Sequence, residues 1–233
     1  MRRQRARRHL LLLTAAVLLA GCGIGGTPTP KPACPTAAPA ADEAATIMEG
    51  ADRAVVVTSK GDFTIELEGE AAPIAVANFV GLARCGFFDG ITFHRVVPGF
   101  VAQAGDPQTR DNHDDFEGLG SGSPGYRFEV EFPPEGTTYE RYMVAMANAI
   151  QYDQATGEIT SPTDSNGSQF FVMLDDVPAL RPYYSVLGRV TGGTDALDAI
   201  GQVPTTGPPR DVPLDPVVIE AIRIEAGPVE SPA

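Results

Sequence analysis

The chain has 233 residues, a formal net charge of −13, 43% hydrophobic residues and no tryptophan. So acidic a surface argues against nucleic acid and anionic lipid as principal partners. Three cysteines are too few for a disulfide framework.

Met1 to Ala20 reads as an export leader, with Arg2, Arg3, Arg5, Arg7 and Arg8 forming a basic start. Leu10 to Ala20 is an apolar run, short for a spanning helix of roughly 20 residues. It ends in Leu19-Ala20-Gly21-Cys22, which resembles the lipobox of bacterial lipoproteins, where the cysteine is lipidated and becomes the first mature residue. The segmentation expected is a signal peptide over 1–21, a lipidated Cys22 with a linker to 50, a globular domain over 51–226 and a tail over 227–233. The linker is rich in Pro, Ala and Thr, so it is expected to be an extended spacer that buries little apolar surface. Cutting at Cys22 removes five of the 17 basic residues and leaves 12 against 30 acidic ones, a net charge of −18. The expected location is extracytoplasmic, on a membrane through the Cys22 lipid, with the domain itself outside the bilayer. Cys34 and Cys85 could pair in an oxidising compartment but read as incidental.

Within the domain, Val55–Thr58 and Asp62–Leu67 predict a hairpin turning at Ser59-Lys60-Gly61, because Phe63, Ile65 and Leu67 alternate with polar residues. Pro73 opens a helix whose apolar face is Val76, Phe79, Val80 and Ala83, and Gly86 ends it. Short apolar runs follow at Thr92–Val97, Val101–Gln103, Tyr126–Val130, Tyr142–Ala147, Gln169–Leu174, Ser185–Val190 and Val217–Ile224, with a second helix over Thr194–Ile200. Many short strands and two helices predict an all-β dominated antiparallel barrel or sandwich. No hydrolase triad or zinc signature accompanies them. The Asp111–Asp115 run reads as solvated surface, and Gly118–Gly125 lacks the Gly-Lys-Ser/Thr ending of a phosphate loop.

Three blocks carry the functional signal: Phe93-His94-Arg95-Val96-Val97-Pro98-Gly99-Phe100-Val101-Ala102-Gln103-Ala104-Gly105-Asp106, then Met146-Ala147-Asn148-Ala149, then Asn166-Gly167-Ser168-Gln169-Phe170-Phe171. In order and spacing they resemble the cyclophilin family of peptidyl-prolyl cis-trans isomerases from about Val55 to about Ile224. The resemblance implies an eight-stranded closed antiparallel barrel with a helix over each end. It also implies proline-containing polypeptides as substrates, no cofactor or metal, and a monomer.

An X-Pro bond exchanges over a barrier of roughly 18–20 kcal/mol set by amide resonance, so a catalyst needs a proline pocket, a donor for the developing nitrogen lone pair and grips on the flanking peptide. The resemblance makes Arg95 the catalytic donor, with Gln103 gripping the peptide and holding Arg95. It assigns Phe100, Val101, Phe171 and Leu180 to the proline pocket, residues that would otherwise read as core. Ala147, Asn148 and Gln169 are expected to hold the peptide backbone, and Tyr184 to stand on the groove wall where the family carries a histidine. His94 points to the other face of its strand and reads either as a structural histidine or as a further substrate contact. Ala179 stands where animal relatives often carry a tryptophan, which weakens the expectation of tight cyclosporin binding. Residues 150–165 are an insertion, either a rim of the groove or a surface loop. A proline-peptide-binding chaperone or scaffold with weak turnover is the alternative function. A two-lobed solute-binding lipoprotein is disfavoured by length and strand content.

Overall fold

The computed structural model describes residues 30–114 and 116–227. The leader and Cys22 lie outside these residues.

The predicted hairpin forms as β1 (Arg53–Thr58) and β2 (Gly61–Leu67), antiparallel with Val56 opposite Phe63. Inward residues Ala54, Val56, Phe63 and Ile65 are buried, as their alternation requires. Helix α2 (Pro73–Cys85) starts at Pro73 and stops at Gly86, whose left-handed φ of 78° a side chain would disfavour. Its first free N–H groups, on Ile74 and Ala75, donate to the Glu131 carboxylate at 3.0 and 2.8 Å. Next come β3 (Arg95–Val97), β4 (Val101–Ala104), β5 (Met143–Met146), β6 (Phe170–Met173), β7 (Val186–Gly192), helix α3 (Thr194–Ile200) and β8 (Ile219–Glu225).

The eight strands form one antiparallel sheet in the order β3-β4-β6-β5-β7-β2-β1-β8. Phe79, Val80, Phe93, Val96, Val144, Phe170, Val172 and Ile222 fill its concave side and join α2 to the sheet. A smaller cluster, with Val101, Tyr139, Ala145, Phe171, Met173 and Val186, lies separately on the sheet.

Three expectations need correction. First, the sheet is an open half-barrel, not a closed barrel. Its edge strands β3 and β8 share no ladder, and the seam carries one bridge, Thr92 to Val218. Phe93 N–H still reaches Val217 O, but Val96 N–H donates to Asp211 O at 2.9 Å, so the stretch before β8 takes the position that a continued β8 ladder would need. Second, Tyr126–Val130 is not a strand and makes a single bridge, Phe128 to Asn166. Third, the linker is not an unpacked spacer up to residue 50, because the compact unit begins at Lys31. A third helix, α1 (Ala41–Ile47), packs on α2, and Ala44 is buried. Glu43 accepts a hydrogen bond from Ala40 N–H at its start, and Arg84 donates to the carbonyls of Ile47 and Glu49 at its end. Cys34 and Cys85, read as incidental, are joined in a disulfide with Cα atoms 5.1 Å apart. Seven residues of helix would be marginal alone; packing and the cross-link hold them in place.

Candidate functional site

Strand register assembles the site. Arg95 on β3 is opposite Gln103 on β4, Gln103 is opposite Phe171 on β6, and Phe171 is opposite Ala145 on β5. Opposed residues share a face, so these four stand in a row across the sheet. Their alternates Val96, Ala102, Val172 and Val144 go into the core. A cavity of about 310 Å³ opens on that row, lined by Arg95, Phe100, Val101, Gln103, Ala147, Asn148, Phe171, Leu180 and Tyr184. Nine of the eleven expected domain residues therefore meet in one place. A second cavity of about 290 Å³ adjoins it through the shared Gln103, Ala147 and Asn148, and Gln169 lies in that part.

The floor is apolar and closely packed. Val101 and Phe171 are buried, and the Phe171 and Tyr184 rings meet edge to face at 5.2 Å. The Tyr139 hydroxyl donates to Tyr184 O at 2.9 Å and accepts from Tyr184 N–H at 3.0 Å, which fixes the wall backbone. Burial raises the Tyr184 phenol pKa, so the wall stays uncharged. Above the floor the half-buried Arg95 guanidinium lies 5.8 Å from the Phe100 ring centre. Among the described residues it makes no ion pair and no hydrogen bond, so its N–H groups face the cavity uncommitted.

The amides divide differently from expectation. Gln169 Nε2 donates to Gly120 O at 2.8 Å and to Gly122 O at 2.9 Å. Two carbonyl acceptors require the NH2 group on that side. Its Oε1 then accepts from Gln103 Nε2 at 3.0 Å. Gln169 is thus spent on positioning and is not a free grip. The Asn148 side chain is also committed: Nδ2 donates to Tyr183 O at 2.7 Å and Oδ1 accepts from Ile150 N–H at 3.1 Å. Ala147 N–H donates to Gln169 O at 2.9 Å. What remains for a peptide is the Gln103 Oε1 and the backbone carbonyls around Ala147 and Asn148.

His94 is not in the groove. It is 4% exposed, it is absent from the groove lining although it borders a neighbouring cavity that Arg95 and Gln103 share, and neither ring nitrogen has a hydrogen-bond partner. Burial pushes its pKa down to about 4 against the opposing pull of Asp106, so the ring is neutral at physiological pH. Ala179 is exposed and outside the cavity lining. Among the described residues no three His, Cys, Asp or Glu side chains are grouped to hold a metal.

The sequence missed Asp106, Tyr139 and Tyr183. Asp106 is fully buried and accepts from Gln108 N–H at 2.9 Å, Gly120 N–H at 2.7 Å and Gly122 N–H at 3.3 Å. It fixes the glycine-rich loop whose carbonyls hold Gln169. The only available signal was an Asp-Pro start to a turn, which predicts a cap without its distant partners.

The insertion packs against the groove wall. Tyr152 stacks edge-on against Tyr183 at 5.1 Å, and the Arg181 guanidinium lies 5.5 Å over the Tyr152 ring. Tyr183 OH donates to Gly157 O at 2.6 Å, and Arg181 donates to Gln154 O at 3.2 Å. Of the two readings, the structure favours a rim that braces the segment carrying Leu180 and Tyr184.

Comparison with known proteins agrees with this geometry. The family described as "Cyclophilin type peptidyl-prolyl cis-trans isomerase/CLD" matches residues 53–224. The chain is 38% identical over 188 residues to peptidyl-prolyl cis-trans isomerase A of Mycobacterium tuberculosis, covering 73% of this chain and 91% of that protein. It is 41% identical over 130 residues to peptidyl-prolyl cis-trans isomerase B of Bacillus subtilis, covering 56% and 76%. The crystal structure of a Cryptosporidium parvum cyclophilin-type isomerase superposes with a TM-score of 0.62 at 27% identity, covering 76% of this chain and 99% of that one. A second structure of that protein was determined in the presence of the dipeptide Ala-Pro, at a TM-score of 0.62 and 28% identity.

Proposed function

The chain belongs to the cyclophilin-type peptidyl-prolyl cis-trans isomerase family, and on that premise we propose that it turns X-Pro bonds of exported polypeptides from a lipid-anchored position outside the cytoplasm, with Arg95 as the catalytic group. The observation that carries the site assignment is the row Arg95–Gln103–Phe171 over one apolar pocket.

In this reading the proline ring enters between Phe100, Val101, Phe171 and Leu180. The uncommitted guanidinium then faces the prolyl nitrogen. As the amide twists, resonance is lost and the nitrogen gains a basic lone pair, which an N–H of Arg95 stabilises more than it stabilises the planar amide. Gln103, held by Gln169, keeps its oxygen toward the peptide N–H groups. No bond is made or broken, so no nucleophile, metal or cofactor is required. Wild-type protein should accelerate the cis-to-trans exchange of a short X-Pro peptide in a protease-coupled assay, and Arg95→Ala should do so at least about tenfold less efficiently.

Two features support export. The Cys34–Cys85 disulfide suits an oxidising compartment, and Leu19-Ala20-Gly21-Cys22 suits lipidation. Metabolic labelling with a fatty acid tests the anchor: wild type should be labelled and Cys22→Ser should not. Labelling of the mutant would remove the lipid anchor from the proposal while leaving the enzyme intact.

A further inference from the structure

The prolyl groove has a neighbour. A cavity of about 420 Å³ is walled by Phe132, Pro133, Ile159, Pro182 and Tyr183, with Gly136 beside them and the charged Glu135 and Arg181 also in its lining. Phe132 is 43% exposed and is one of only two large apolar side chains left in solvent among the described residues. An exposed phenylalanine inside a concave site is a binding signal that a scattered surface residue is not.

The cleft is preformed. Tyr183 meets Phe132 edge to face at 6.1 Å and Tyr152 at 5.1 Å, and its hydroxyl is fixed on Gly157 O. Arg181 is held by Gln154 and Tyr152. Two prolines contribute walls that lose little freedom on binding. The insertion supplies Ile159 directly and the brace behind Tyr183.

One wall segment serves both sites. Leu180 and Tyr184 line the prolyl groove, while Arg181, Pro182 and Tyr183 line the outer cleft. Three residues span at most roughly 10 Å, and an extended peptide rises about 3.3 Å per residue. A chain whose proline sits in the groove therefore reaches the cleft with a residue three or four positions away. Arg181 is engaged with Gln154 O and the Tyr152 ring, so the aromatic rings, prolines and isoleucine are the surfaces left to select an apolar side chain, with the Glu135 carboxylate disfavouring an acidic one.

Resting on the groove assignment above, we propose that this cleft is an accessory substrate subsite. It takes an aromatic or branched apolar side chain of the same polypeptide, three or four residues from the isomerised proline. Continuity with the groove makes the substrate itself the occupant, because a chain held at its proline presents its neighbours at high effective concentration.

The test uses peptides with one Ala-Pro bond and a single Phe placed two to five residues from it on either side, against an all-Ala peptide. Wild type should show a KM about tenfold lower, 1.4 kcal/mol, for Phe at one or two of these positions, with kcat unchanged. Phe132→Ala, and independently Ile159→Ser, should abolish the preference while the all-Ala peptide turns over as before. Equal KM values across the wild-type series, or a preference that survives both variants, overturn the subsite. Titration of 15N-labelled protein with the preferred peptide reads the cleft without turnover. Shifts at Phe132 and Tyr183 amides support the subsite, and their absence overturns it. A protein that turns over none of the peptides would instead remove the isomerase reading.

Discussion

Arg95→Ala is the substitution that separates catalysis from scaffold. Among the described residues the guanidinium makes no hydrogen bond or ion pair, and its ring contact with Phe100 at 5.8 Å is loose. Truncation therefore leaves no buried polar group unsatisfied, and stability should fall by less than about 1 kcal/mol. Removing one preorganised donor from a developing oxyanion costs roughly 2.7–4 kcal/mol. The prolyl nitrogen gains a lone pair and not a full charge, so the loss here should be smaller, about 1.4–2.7 kcal/mol, or ten- to a hundredfold in kcat/KM. Arg95→Lys keeps the charge but loses the planar fork and should recover only part of the rate. The measurements are protease-coupled isomerisation of an Ala-Pro peptide, NMR exchange on the same peptide, and urea unfolding of each variant. A folded Arg95→Ala protein within twofold of wild type would refute the lone-pair argument.

Other perturbations give separate outcomes. On folding, the His94 pKa falls from 6.5 to about 4, so between those values only the unfolded chain takes the proton and stability drops as pH falls. The loss should reach about 2–3 kcal/mol by pH 4.5, read as the difference in urea unfolding between wild type and His94→Leu. The disulfide closes a loop with a sequence separation of 51 residues, for which chain entropy gives roughly 4 kcal/mol. Cys34→Ser/Cys85→Ser should lower stability by about 2–4 kcal/mol, and dithiothreitol should lower the Tm of wild type but not of the mutant. Cyclosporin should inhibit weakly, because Ala179 is exposed and offers no ring. An interface aromatic contributes about 2 kcal/mol or more, so Ala179→Trp should tighten inhibition by roughly thirtyfold, whereas nanomolar inhibition of wild type would show that other contacts compensate.

Much of this arrangement was legible in the sequence, for identifiable reasons. Phe63, Ile65 and Leu67 alternate, so their strand announced itself. Pro73 and Gly86 bracket a helix with an apolar face, and Thr194–Ile200 was found to the residue. Seven of the nine residues lining the groove were legible because short motifs carry them in order; Leu180 and Tyr184 lie outside those motifs. What failed was partnership at long range. Proline and alanine in residues 31–50 read as spacer, since nothing local reveals that α2 and Cys85 are there to dock against. Gln169 and Asn148 looked like free amides because their acceptors, at Gly120, Gly122 and Tyr183, are distant in sequence. The closed barrel failed at a seam set by which carbonyl Val96 finds.

The glycine-rich stretch shows such partnership reaching the groove. As a motif it lacks everything a phosphate loop needs. In the fold it links the buried Asp106 carboxylate to the groove: Asp106 orders the Gly120 and Gly122 amides, their carbonyls hold Gln169, and Gln169 holds Gln103, which stands opposite Arg95. A Cβ on Gly122 would lie 2.0 Å from Asp106 Oδ1, so a side chain there is incompatible with the loop's grip on the carboxylate. A reaction with no covalent step depends on preorganised dipoles for its acceleration. In the proposed mechanism this chain fixes them by committing both N–H groups and the oxygen of the Gln169 side chain internally, which leaves Arg95 and the Gln103 oxygen open to the groove. Two amides of the same type, hydrogen-bonded to each other, thus stand differently: Gln169 is held on both its nitrogen and its oxygen, while the Gln103 oxygen has no protein partner among the described residues.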